Sequence, residues 1–139
     1  MIELYGFAPV WGLADLSPFV MKVDTYLRLA RLPYKLVPFS METMTASPKG
    51  KLPYIVDGKE KVADSSFIVE YCQSKYGDRL DAELTDAQRA TGHATVRMLE
   101  ENLYWVLVAE RWRDSTAAVD DYPVMASAPP EMVLSLIHI

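Results

Sequence analysis

Apolar and polar positions along the chain change period several times, and each change marks an element. Ile2 to Gly6 (Ile-Glu-Leu-Tyr-Gly) reads as a short apolar strand ending in Gly, and residues 7–16 read as irregular, with Pro9 and Gly12 among them. Ser17-Pro18 then opens a helix, because Ser is a strong N-cap and Pro suits the first helical position. Behind it, Val20, Val23, Leu27 and Ala30 recur at helical spacing and require a core to face. Leu32-Pro33 stops that helix. Residues 34–39 alternate as a second strand, and residues 40–49 are polar, with room for at most one helical turn.

Residues 51–56 predict a third strand, with Pro53 confined to its beginning because proline cannot donate to a ladder. Asp57-Gly58 reads as a two-residue loop of the type I′ kind, joining that strand to a fourth at 59–62. A helix from Asp64-Ser65 to Tyr76 stops at Gly77, a C-cap residue. The order β-α-β, irregular segment, β-β-α predicts a mixed four-stranded sheet with helices against it. A second unit begins at Thr85-Asp86-Ala87-Gln88, which has the capping-box pattern. Val96, Leu99, Leu103, Val106 and Leu107 then carry one long amphipathic helix to Arg113. A single helix cannot make its own core, so this one is expected to lie on the first unit or to start a larger helical domain.

After Asp114 the pattern dissolves, and Pro123, Pro129 and Pro130 forbid a continuous helix. The apolar residues 133–139 are too short to span a membrane. The closing string Leu-Ser-Leu-Ile-His-Ile resembles the end of a reading frame that runs off a gene fragment. A truncated chain is therefore expected, with residues 114–139 an irregular and partly artefactual tail and His138 without a role.

Composition narrows the partners. The 139 residues carry 14 Lys+Arg against 19 Asp+Glu, a net charge of −5 that argues against nucleic acid. Half of the residues are hydrophobic and 24% are charged, which is the balance of a globular chain and not of a disordered one. A chain this long buries roughly two-thirds of its unfolded surface and needs no disulfide or metal staple. The lone Cys72 cannot form an internal bridge and implies a reducing compartment. The acidic N-terminus lacks the basic region of a signal peptide, and no apolar run reaches the ~18 residues of a membrane span, so the expectation is a cytoplasmic protein. No C-x-x-C occurs, which excludes a dithiol oxidoreductase, and no set of zinc ligands is visible. His93 stands alone, and Tyr104, Trp105 and Trp112 read as packing between helices.

Three segments carry more specific chemistry: Ser-Pro-Phe at 17–19, Ser-Pro-Lys-Gly-Lys-Leu-Pro-Tyr-Ile at 47–55, and Asp-Ser-Ser-Phe-Ile-Val-Glu-Tyr at 64–71. Together they resemble the N-terminal domain of glutathione transferases, a thioredoxin-like fold. The helix at 97–112, Arg-Met-Leu-Glu-Glu-Asn-Leu-Tyr-Trp-Val-Leu-Val-Ala-Glu-Arg-Trp, resembles the branch that includes failed-axon-connections proteins and metaxins. The resemblance covers residues 2–113 and implies a glutathione-binding domain at 1–78. It makes residues 84–113 the first helix of an all-α C-terminal domain.

For the residues, the resemblance implies roles that the local pattern leaves open. Ser17, at a helix N-terminus, can stabilise a thiolate by its hydroxyl and the positive helix end, or can simply cap the helix. The Leu52–Pro53 peptide is expected to be cis, with the Leu52 backbone pairing to the cysteinyl part of glutathione. Ser65 and the helix start are expected to hold the γ-glutamyl carboxylate, with Asp64 near its amino group; both residues also suit an N-cap. Phe7 and Trp11 are candidates for the wall of an apolar co-substrate pocket or for cover of the sheet edge. Tyr5 reads as strand packing. Many relatives carry Ser-Pro-Phe-Cys where this chain has Val20, so the cysteine nucleophile is absent here.

Two functions follow from the resemblance. One is a transferase that binds glutathione as co-substrate, without metal, and directs its thiol at a small apolar electrophile; a homodimer is compatible with it. The other is a non-catalytic interaction module on the same fold.

Overall fold

The computed structural model describes residues 1–9 and 12–112; Val10, Trp11 and the tail expected from Asp114 onward lie outside them. The chain divides into two compact units, Met1–Glu83 and a second that starts at Leu84.

In the first unit, β1 (Ile2–Gly6), α1 (Pro18–Leu29), β2 (Tyr34–Pro38), α2 (Met41–Thr45), β3 (Tyr54–Asp57), β4 (Glu60–Ala63) and α3 (Ser65–Tyr76) follow the predicted order. The strands form one mixed sheet in the order β2-β1-β3-β4. β1 runs parallel to β2 and antiparallel to β3, which is antiparallel to β4. This is the thioredoxin-like arrangement that the sequence resemblance implies, and the reason is legible in the side chains. Alternate residues of β1, Ile2 and Leu4, are buried, and they meet Val20, Val23 and Leu27 of α1 together with Ile55, Ile68 and Cys72 in one core cluster. Each fully buried aliphatic side chain of that set contributes about 1.5–3 kcal/mol.

The structure revises three expectations. The third strand starts at Tyr54, so Pro53 lies just before the ladder and not within it. In the hairpin, Asp57 pairs with Glu60, which makes Gly58 and Lys59 the loop residues instead of Asp57 and Gly58. Gly58 has φ +69° while Lys59 is not among the positive-φ residues, the pattern of a type II′ turn and not of type I′. In the second unit, the predicted long helix is α4 (Asp86–Met98) and α5 (Tyr104–Trp112) joined by one π-helical turn, Leu99–Leu103. Its start does hold the expected capping box, Thr85 with Gln88. Val96, Leu99, Leu103 and Val106 of its apolar stripe are exposed. No helix of the described residues is long and apolar enough to cross a membrane.

At the hairpin end of the sheet, the buried Asp57 carboxylate receives Lys75 Nζ at 2.6 Å and the Tyr71 and Tyr76 hydroxyls at 3.0 and 2.5 Å. Burial pushes this carboxyl up, but the three donors outweigh it and hold its pKa below the ordinary aspartate value. α3 is thereby tied to β3 at its C-terminal end.

Candidate functional site

Register assembles the opposite end of the sheet. Tyr5 of β1 pairs with Tyr54 of β3, and Tyr54 pairs with Ala63 of β4. The next residues at that edge are therefore Gly6, Pro53 and Asp64, and the chain enters α3 directly from Asp64. The Asp64 N–H donates to the Pro53 carbonyl at 3.3 Å. Tyr5 stacks on Tyr54 with ring centroids 4.2 Å apart, and its hydroxyl donates to Glu3. Burial and then Glu3 push its pKa up, the opposite of an activated phenol, so Tyr5 packs as expected.

Leu52 and Pro53 are delivered to this edge by a clipped loop. The Ser47 hydroxyl donates to the Lys51 carbonyl at 2.6 Å and accepts the Lys51 N–H at 3.2 Å. Gly50 takes φ +62° between them. The Leu52–Pro53 peptide is cis, as the resemblance implies. Leu52 precedes Tyr54, the first paired residue of β3, so its backbone groups stand outside the strand ladder.

At the start of α3, Asp64 caps the helix by accepting the Ser66 N–H at 3.1 Å. Its own backbone has φ +84°, a conformation that costs a non-glycine residue about 1–3 kcal/mol and concentrates at ligand-binding positions. Ser65 is buried at the first helical turn. Two lysines gather here that the sequence reading did not assign: Lys49 lies 3.9 Å from Asp64 and over the Phe67 ring, and Lys22 of α1 donates to the Ser66 hydroxyl at 3.0 Å. That last bond ties the early part of α1 to the start of α3. A basic residue within Ser-Pro-Lys-Gly-Lys was the available signal for Lys49; nothing local marks Lys22.

Ser17 is the N-cap of α1, yet its hydroxyl makes no capping hydrogen bond. The contrast with the other hydroxyl caps is direct, since Ser40 and Thr85 both form complete capping boxes. The Ser17 hydroxyl therefore adds no bond to the first turn of α1. Its backbone N–H donates to Asp15 Oδ1 at 2.8 Å. Asp15 is 1% exposed, and Oδ2 has no hydrogen-bond partner among the described residues. Burial raises its pKa, while backbone N–H groups of Ser17, Phe7 and Leu16 pull the other way and the nearby Asp24 carboxylate adds to the rise. Phe7 stacks on Phe39 at 5.7 Å and its carbonyl accepts the Phe39 N–H; Trp11 lies outside the described residues.

The fold and this edge can now be set beside known proteins. The family model of the glutathione S-transferase N-terminal domain matches residues 18–117. The chain belongs to that family. The isoprene-epoxide–glutathione S-transferase of Rhodococcus sp. (strain AD45) is 41% identical over 142 residues, covering 98% of this chain and 60% of that protein. Failed axon connections of Drosophila melanogaster is 42% identical over 107 residues, covering 77% of this chain and 25% of that protein. The chain thus spans less than two-thirds of the length of either relative. Glutathione transferase F2 of Populus trichocarpa shares the fold, with a TM-score of 0.61 at 20% identity over 99% of this chain and 63% of that one. The family-model match starts at Pro18, one residue after Ser17.

Proposed function

We propose that the sheet end formed by Ser17, Leu52, Pro53, Asp64 and Ser65 binds glutathione and that Ser17 activates its thiol for attack on a small apolar electrophile. The observation that carries this reading is a hydroxyl at the α1 N-terminus without a capping bond, next to an Asp15 carboxylate that abuts Gly6 at the end of β1, the end at which Pro53 and the positive-φ Asp64 follow in register. The Leu52 backbone would pair with the cysteinyl unit. The α3 N-terminus, with Ser65, would receive the γ-glutamyl carboxylate, and Asp64 its ammonium. At the α1 terminus, the Ser17 hydroxyl would donate to the sulfur. A free thiol titrates near ~8.5, and each unit of depression requires about 1.36 kcal/mol of preference for the thiolate. One charge-assisted hydrogen bond plus a helix end reaches that range.

Phe7 and Trp11 are proposed to meet the electrophile, and the thiol chemistry needs no metal. The buried Cys72 is no rival nucleophile, because burial pushes its thiol up to about 11. Retention of the protein on immobilised glutathione, followed by pH–rate profiles with a chloronitrobenzene, tests the proposal. Ser17→Ala is expected to lower turnover by about 10²–10³-fold with little change in glutathione affinity, and Ser65→Ala to weaken affinity instead. Unchanged turnover in Ser17→Ala would overturn the catalytic reading.

The 42% identity to Failed axon connections favours a second reading, a non-catalytic interaction module on the same domain. Glutathione retention without conjugation of any electrophile would decide for it.

A further inference from the structure

We propose that Asp15 is the positioning residue of the Ser17 site: its buried carboxyl takes the Ser17 backbone N–H and so fixes the residue whose hydroxyl would meet the glutathione thiol. The inference rests on the reading of Ser17 given above and extends it to a residue in the irregular segment between β1 and α1.

A helix start must satisfy its exposed N–H groups, and a capping box does so with two side chains, one at the N-cap and one three residues on. α2 and α4 follow that rule, with Thr43 and Gln88 reaching back to the N-cap N–H groups of Ser40 and Thr85. α1 cannot. Its third residue is Val20, wholly committed to the core, and its first is Pro18, which has no N–H. The reciprocal acceptor comes from upstream instead, as Asp15 Oδ1 at 2.8 Å from the Ser17 nitrogen. That bond fixes the Ser17 backbone from outside the helix, and the Ser17 hydroxyl separately makes no capping bond to the first turn.

The carboxyl is held on its other side as well. A Cβ added to Gly6, the last residue of β1, would lie 2.7 Å from Asp15 Oδ2 and 2.6 Å from Val20 Cγ1. Only glycine leaves room for the acid there. Oδ2 finds no hydrogen-bond partner among the described residues, although Asp15 is 1% exposed. A buried polar atom without a partner is a cost to the fold, so keeping the acid here calls for a reason other than stability. Gly6, Asp15 and Ser17 therefore form one chain of contacts from the sheet edge to the α1 terminus.

The test measures glutathione affinity by calorimetry and the pKa of the bound thiol by its thiolate absorbance, with turnover alongside. Asp15→Ala should raise the thiol pKa towards the free value and lower turnover about 10²-fold, the cost of a small misplacement, while affinity stays within about threefold. Asp15→Asn keeps an acceptor at the same place and should restore both within about threefold. Asp15→Ala added to Ser17→Ala should cost nothing further, because both act through one hydroxyl. If Asp15→Ala leaves the thiol pKa and turnover intact while Ser17→Ala changes them, or if Asp15→Asn is as impaired as Asp15→Ala, the positioning role is overturned and the reading of Ser17 survives. If Ser17→Ala changes neither, the reading of the site itself falls. Should Asp15→Ala fail to fold, Asp15→Asn and Gly6→Ala decide: rescue in the first with an impaired thiol in the second upholds the role, and an unimpaired thiol in Gly6→Ala overturns it.

Discussion

Asp57 and Asp15 are buried aspartates at opposite ends of the same sheet, one at the β3–β4 hairpin and one where β1 gives way to α1. Asp57 accepts from Lys75, Tyr71 and Tyr76 on a single oxygen, whereas Asp15 keeps Oδ2 without a partner among the described residues. Their pKa values move apart accordingly, Asp57 below and Asp15 above the ordinary range. The same residue type thus does two kinds of work. Where side-chain donors converge, a buried acid locks a helix to a strand; where only backbone N–H groups reach it, burial dominates and the acid sits at the start of a helix.

The contrast can be broken by exchanging the two behaviours. Asp57→Asn removes the charge that three donors address, and we expect a loss of about 2–3 kcal/mol, read from urea midpoints. A loss below about 0.5 kcal/mol would show that the network is ornamental at that end.

At the other end the sign should reverse. Asp64→Gly relieves the positive φ at little capping cost, so stability is expected to rise by about 1 kcal/mol while glutathione affinity falls. If stability drops instead, Asp64 belongs with Asp57 as a fold-holding residue.

Acid titration sharpens the comparison. A lowered folded pKa means that Asp57 stabilises above the ordinary aspartate value near ~3.9 and that this is lost as pH falls through the folded value. A raised folded pKa means the reverse for Asp15: its contribution is full below ~3.9 and is lost as pH rises through the folded value. Urea midpoints across that window should therefore show Asp15→Asn gaining on the parent protein as pH rises, and Asp57→Asn falling behind it. Parallel slopes would refute the assignment of opposite shifts.

The smallest effect concerns the caps. Thr85→Ala removes a working capping box and should cost about 1 kcal/mol, while Ser17→Ala should stay within about 0.5 kcal/mol of the parent in thermal unfolding. An equal loss in both would return Ser17 to the role of a helix cap.

Much of the fold was legible because it depends on short-range pattern. The spacing of Val20, Val23 and Leu27 sets the buried face of α1, and Thr85-Asp86-Ala87-Gln88 marks the start of α4. What escaped needed tertiary information. The hairpin loop moved by one residue because Asp57 is drawn into the ladder, with its side chain held by α3. Asp15 sits in an irregular segment with no periodicity; its bond to the Ser17 N–H is local, but the burial of its carboxylate against Gly6 is tertiary. Lys22 reads as a solvated helix residue until α3 is packed beside α1. The positive φ of Asp64 is likewise set by how β4 meets α3, not by its neighbours in sequence.

The π turn at Leu99–Leu103 makes length a variable of the second unit. Its i to i+5 bonding accommodates one residue more than an α turn, and one residue corresponds to about 100° of rotation. Deleting a single residue there would close the backbone into uninterrupted α-helix and leave Tyr104, Trp105 and Val106 close to their present facing, whereas the same deletion within α4 would turn everything after it by that angle. When relatives are aligned through this helix, a one-position gap between Met98 and Tyr104 therefore marks the presence or absence of the wide turn, and two chains with the same residues on either side of it present the same surfaces.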